Sequence, residues 1–133
     1  MGDPLFGKTW KMNPSASMFS TNFTPESETR LYEEIDGGYK LTVSGNHNGT
    51  PYSWNYTALY DGKPHKVNGR KDVDSITIYK VNDRITIGFF EQDRLPGGPY
   101  ARRISEDGSK LLVEAAGRHP DGTPFYDMIE YTL

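Results

Sequence analysis

The sequence contains no cysteine. That excludes a disulfide framework, a thiolate metal site and a cysteine nucleophile, and it removes redox chemistry as a clue to compartment. No long apolar run is present, so no transmembrane helix is expected. Met1 to Lys11 also lacks the basic start and apolar centre of a signal peptide, and the chain is expected to be soluble as written. Positive charge is in short supply: 15 Lys and Arg stand against 18 Asp and Glu, for a net charge of −3. The bases are scattered among the acids, which removes the electrostatic footprint of a phosphate-gripping protein, and nucleic acid is not an expected partner. Helical periodicity is missing as well, which excludes the parallel α/β folds. No Gly-x-Ser-x-Gly, Gly-rich phosphate loop or dinucleotide fingerprint occurs, so elbow-serine acyl transfer, nucleotide chemistry and hydride transfer have no support.

What is there is a succession of short β-runs. The 133 residues fit one domain, 1–133. After an opening strand over Gly7 to Met12 come Glu28 to Ile35, Tyr39 to Gly45, Tyr52 to Tyr60, Pro64 to Val67, Asp74 to Val81, Arg84 to Phe90, Tyr100 to Ser105, Lys110 to Ala116 and Phe125 to Leu133. Ten strands without intervening helices predict an all-β fold, a single antiparallel up-and-down barrel or, failing closure, a sandwich. Asp36-Gly37-Gly38, Asp61-Gly62-Lys63, Asn82-Asp83 and Glu106-Asp107-Gly108 read as tight turns at one end. Asn13 to Ser27, Asn46 to Thr50, Asn68 to Val73, Gln92 to Gly98 and Arg118 to Thr123 read as longer loops at the other. Within the first, Ser15 to Phe19 allows at most one short helical turn. Binding groups concentrate on such loops, so a site is expected at that mouth or just inside it.

The strongest single stretch is Tyr52 to Tyr60, where Tyr52, Trp54, Tyr56, Ala58 and Tyr60 alternate with Ser53, Asn55 and Thr57. Alternation across a strand puts these rings on one surface, which we read as the inner wall of the barrel. The same reading places Tyr39, Leu41, Val43, Ile76, Ile78, Ile85, Ile87, Phe89, Leu111, Val113, Ala115, Phe125, Ile129 and Tyr131 inside. Asp127 falls among them: it is either paired or hydrated on an apolar wall, or a bulge or reversed parity leaves it in water. The expected ligand-binding residues are Tyr39, Tyr52, Trp54, Tyr56, Phe89, Phe125 and Tyr131.

Leu5-Phe6-Gly7-Lys8-Thr9-Trp10-Lys11-Met12-Asn13 resembles the opening of lipocalin-like (calycin) proteins, including fatty-acid-binding proteins and small bacterial lipocalin-like domains. The resemblance implies that Trp10 lies on the first strand at the closed end, crossed by an arginine from a late strand, here Arg102 or Arg103. It does not extend to the Arg-x-Tyr clamp of fatty-acid-binding proteins, because Ile129-Glu130-Tyr131 lacks the arginine.

Three functions stay open, the last a barrel whose interior is filled and whose loops bind another protein. One is a carrier of a small hydrophobic or aromatic molecule inside the barrel. A second is a cofactor-free isomerase, cyclase or lyase with His47, His119 or Asp127 as acid–base groups at the mouth. The segment from Gly45 to Tyr52 is echoed by Gly117 to Phe125, which either reuses Gly-Thr-Pro turn chemistry or sets His47 opposite His119. His47, His65 and His119 have no metal-ligand spacing, so neither a metal nor another cofactor is expected.

Overall fold

The structure is a computed structural model describing residues 4–20, 24–70, 73–92, 95–118 and 122–133, with the backbone alone described for residues 92 and 95–97. Among these residues the strands are β1 (Thr9–Met12), β2 (Met18–Phe19), β3 (Ser27–Ile35), β4 (Gly38–His47), β5 (Thr50–Leu59), β6 (His65–Asn68), β7 (Ser75–Asn82), β8 (Ile85–Gln92), β9 (Leu95–Ile104), β10 (Lys110–Arg118) and β11 (Pro124–Thr132). Each pairs antiparallel with its neighbour from β3 to β11, β1 pairs with β3, and β1 also pairs with β11. The result is a closed ten-strand meander barrel, with β2 as an added two-residue piece on β11. Closure removes the free sheet edges that an open meander of this length would expose.

One end, the base, holds the β3–β4, β5–β6, β7–β8 and β9–β10 connections. The other, the rim, holds β4–β5, β6–β7, β8–β9 and β10–β11. The expected contrast in loop length between them does not hold. β4 and β5 run on to His47 and Thr50, joined by Asn48-Gly49, both with positive φ, and β8 and β9 reach Gln92 and Leu95. Asn followed by Gly is the sequence of a two-residue hairpin, so Asn46 to Thr50 is a tight turn rather than a loop.

The polar stretch after β1 has a structural purpose that its composition hid. Among the described residues it carries one 3-10 turn, Pro14–Ala16, and its part up to Ser20 runs along the edge of β11 beyond the reach of β1. The Asn13 N–H donates to the Glu130 carbonyl at 2.7 Å, Ser17 Oγ accepts from the Glu130 N–H at 3.0 Å, and Ser20 Oγ accepts from the Tyr126 N–H at 2.7 Å. Two serine side chains and the Asn13 backbone here satisfy backbone groups that would otherwise be an open edge.

Inner and outer faces follow the alternation on β4, β5, β7, β10 and β11: Tyr39, Leu41, Val43, Tyr56, Ile76, Ile78 and Leu111 are all buried. β8 is the exception. Thr86, Gly88 and Phe90 face inward, and the predicted inner residues Ile85, Ile87 and Phe89 lie on the outer face, with Ile87 42% exposed. The cause is β9, whose large inner residues Tyr100 and Arg102 pair with Gly88 and Thr86. The Tyr100 ring occupies space that a side chain at 88 would take, and Arg102 Nη2 donates to Thr86 Oγ1 at 2.6 Å. Register against bulky neighbours outweighs the hydrophobicity of β8 taken alone.

Candidate functional site

The base half of the interior is closely packed, with Tyr60 partly exposed at its margin. Leu5, Trp10, Tyr32, Tyr39, Ala58 and Leu111 are each at most 1% exposed. The Trp10 indole N–H donates to the Leu5 carbonyl at 3.1 Å, which satisfies its one polar atom inside the core. Neither expected arginine is the one to cross it. The Arg102 guanidinium lies over Tyr32 and Tyr39, 4.8 and 4.7 Å from their ring centres, and Arg103 is exposed on the outer face.

Above Trp10, β3 puts Glu28, Arg30 and Tyr32 on the inner wall, a charged pair that hydrophobic alternation does not reveal. Arg30 Nε donates to Glu28 Oε1 at 3.1 Å, the Tyr52 hydroxyl donates to Glu28 Oε2 at 2.7 Å, and the Tyr131 hydroxyl also donates to Glu28 Oε1. Gly45 lies between Glu28 and Tyr52 in the cross-strand row, and its missing side chain lets the Tyr52 ring cross to the carboxylate. A charged pair taken out of water is retained only when its hydrogen bonds are met, as they are here. Burial lowers the Arg30 pKa, but the neighbouring Tyr131, Tyr32 and Glu28 oxygens outweigh it and hold it above its ordinary value.

Towards the rim the inner wall becomes accessible. Trp54 is 8% exposed, while Tyr52, Phe90, Ala115, Phe125 and Asp127 are partly exposed. Trp54 stacks with Tyr56 at 6.2 Å and carries guanidinium groups, Arg30 at 5.5 Å and Arg70 at 4.7 Å from its ring centre. Arg70 belongs to the β6–β7 connection and also reaches Phe90, at 5.5 Å. Arg70 therefore spans the Trp54 and Phe90 rings at the rim. Nothing in the sequence pairs Arg70 with Trp54, but Gly69, at φ 89° and close against Trp54, brings this connection over the barrel.

The residues expected at the site divide accordingly. Tyr52, Trp54 and Phe125 stand in the rim half; Tyr131 is wholly buried in the Glu28 network; Tyr39 and Tyr56 lie deep and bond to each other through their hydroxyls at 2.6 Å. Phe89 lies outside, in a shallow apolar trough of about 460 Å³ with Tyr79, Ile87, Pro99, Ala101 and Tyr126. Asp127 has inner parity, with β11 pairing to β10 in unbroken register, and Asp127 Oδ1 accepts from the Ser20 N–H at 3.1 Å. His47 is at the rim, with Nδ1 3.3 Å from the Thr24 carbonyl oxygen. His65 is at the base against Asp61, and His119 lies outside the described residues. Among the described residues no three His, Asp or Glu side chains gather as metal ligands. No helix among them is long and apolar enough to cross a membrane.

No family model, no curated protein and no solved structure matches the chain.

Proposed function

We propose that this barrel is a small-molecule carrier whose apolar or aromatic ligand occupies the rim half of the interior. One observation carries the reading: inward-facing Tyr52, Phe90 and Phe125 stay partly exposed in the rim half, whereas Trp10, Tyr32 and Tyr39 at the base are sealed. Concave apolar walls with a few convergent polar groups are the usual form of such sites. The lipocalin-like opening around Trp10 agrees with this reading as a resemblance only. A catalytic role for His47 and Asp127 has less support, since each already contacts backbone of the segment between β1 and β3.

The test is intrinsic fluorescence. Trp10 and Trp54 are the two tryptophans, and Trp10 is sealed, so a ligand in the rim half should alter Trp54 emission alone. Native mass spectrometry of protein from its host identifies retained molecules, and adding one back should shift the emission of wild type but not of Trp54→Phe. An equal shift in both proteins would place the ligand elsewhere.

A further inference from the structure

The outside of this barrel is divided. On β3, β4 and β5 the outward residues are polar: Thr29, Ser44 and Ser53 form one cross-strand row, and Glu33, Lys40 and Thr57 another. On β7 to β11 they are largely apolar. One row runs from Tyr79 through Ile87, Ala101, Glu114 and Met128 to Met18 of β2, crossing six strands with a single charge. Nearer the rim Phe89 stands beside Pro99, and Ala116 beside Tyr126. Tyr79, Ile87, Tyr126 and Met18 are 45%, 42%, 38% and 49% exposed, which is far from how large apolar side chains are placed when nothing covers them. The apolar side chains left accessible on this face come to roughly 600 Å², at the top of what lone soluble proteins leave contiguous and within reach of the about 800 Å² that each partner gives to a standard interface.

The charges on this face indicate what covers it. Ala101 pairs with Glu114, and two residues along the same strands Arg103 pairs with Leu112, so one acid and one base stand diagonally across the middle of the face. Neither makes an ion pair among the described residues; Glu114 Oε2 only accepts from the Tyr126 hydroxyl, at 2.9 Å. A foreign partner of one charge would match only one of them. A surface that carries each sign once is complementary to its own image, which is the requirement of a twofold interface. We propose that a second copy of this chain docks here, face to face about a twofold axis, with Arg103 of each copy against Glu114 of the other. Outward side chains of each copy then fill the trough of about 460 Å³ between Tyr79, Phe89 and Tyr126 in its mate. Each chain carries a net charge of −3, and association is least opposed through a face whose own charges cancel. No residue of the interior takes part, so the dimer stands or falls separately from the carrier reading.

Sedimentation equilibrium of the full chain, from about 1 to about 100 μM, tests this. In wild type the mass should rise with concentration to twice the 15.0 kDa of one chain. Ile87→Glu should weaken association about a hundredfold or more, while Leu59→Glu, an equally drastic change on the outward side of β5, should leave it within about twofold. Arg103→Glu and Glu114→Arg should each weaken it about tenfold by setting like charges together, and the double variant should restore it. A wild type that stays monomeric throughout overturns the proposal, and so does a dimer indifferent to Ile87→Glu. A double variant no tighter than its parents overturns it too, by separating Arg103 from Glu114 of the second copy. A monomeric wild type that floats with phosphatidylcholine vesicles, and ceases to in Ile87→Glu, overturns it in favour of a lipid surface. If Ile87→Glu fails to fold, as circular dichroism would report, the wild-type series and the charge exchange still decide.

Discussion

The base and rim halves of this interior are lined by the same kinds of side chain, yet they are closed to different degrees. At the base, Leu5 and Trp10 plug the barrel, the Tyr32 and Tyr39 rings are at most 1% exposed, and Tyr60, just past the end of β5, is partly exposed. At the rim, Trp54 is covered by a mobile type of side chain, the arginine at 70, rather than by apolar packing. The difference separates the two demands on such a protein. On the carrier reading, close packing supplies stability where nothing need enter, and a long polar side chain excludes water where a ligand would pass.

Truncation should expose the contrast most strongly. Trp10→Ala is expected to cost about 3 to 5 kcal/mol, the usual range for a sealed aromatic. Trp54→Ala should cost at least about 1 kcal/mol less, because the rim relaxes into the space, while losing the ligand. Chemical denaturation of both variants measures the gap, and equal losses would abolish the distinction between the halves. Next in size is Glu28→Gln, which leaves Arg30 buried without its counter-charge and should cost roughly 2 to 3 kcal/mol. A change below about 0.5 kcal/mol would mean that water already screens the pair.

The pH dependence sharpens the comparison from another side. Burial, acting first, and neighbouring groups raise the pKa of Tyr56, Tyr100 and Tyr131 well above the ordinary 10.0. A raised phenol pKa disfavours only the ionised form in the folded state. Stability should therefore be unaffected by these groups below pH 10 and fall as pH rises beyond it, when the unfolded chain alone releases the protons. A spectrophotometric titration should show these tyrosines ionising only with unfolding, and early ionisation of all nine would contradict the sealed interior. The smallest effect belongs to Asp107 in the exposed β9–β10 turn, held down to about 2 by hydrogen bonds from Ser105 and Ser109. Its contribution is present above the ordinary 3.8 and disappears as pH falls through about 2. Asp107→Asn should flatten the acid limb of the melting curve slightly and leave ligand affinity unchanged.

Much of the barrel was legible because β4, β5 and β7 alternate large apolar residues with polar ones, and that pattern fixes both strand and face. β8 was not, since Ile85, Ile87 and Phe89 make a convincing apolar face that the register with Tyr100 and Arg102 turns outward. β3 hid its contribution in the opposite way: Glu28 and Arg30 look like solvent-facing charges until pairing sets Arg30 beside Trp10 and Val43. Within the candidate site, the Trp54 wall follows from periodicity. The arginines around it do not, because a guanidinium that stacks on a ring depends on contacts between strands distant in sequence.

The serine-rich strap along β11 bears on how the barrel comes together. Ser17 and Glu130 are 113 positions apart, and Ser20 meets Asp127 across 107. Contacts of that span carry the largest loop-closure entropy and are poorly suited to form early, whereas the β3–β4–β5 hairpins require only local search. The expected order is thus a curved sheet that grows by neighbouring hairpins and is sealed afterwards, when the strap lies down on β11. Until then β11 presents an open edge able to recruit a strand from another molecule. The short segment from Asn13 to Ser20 is in that sense a guard against self-assembly during folding, whatever the interior carries.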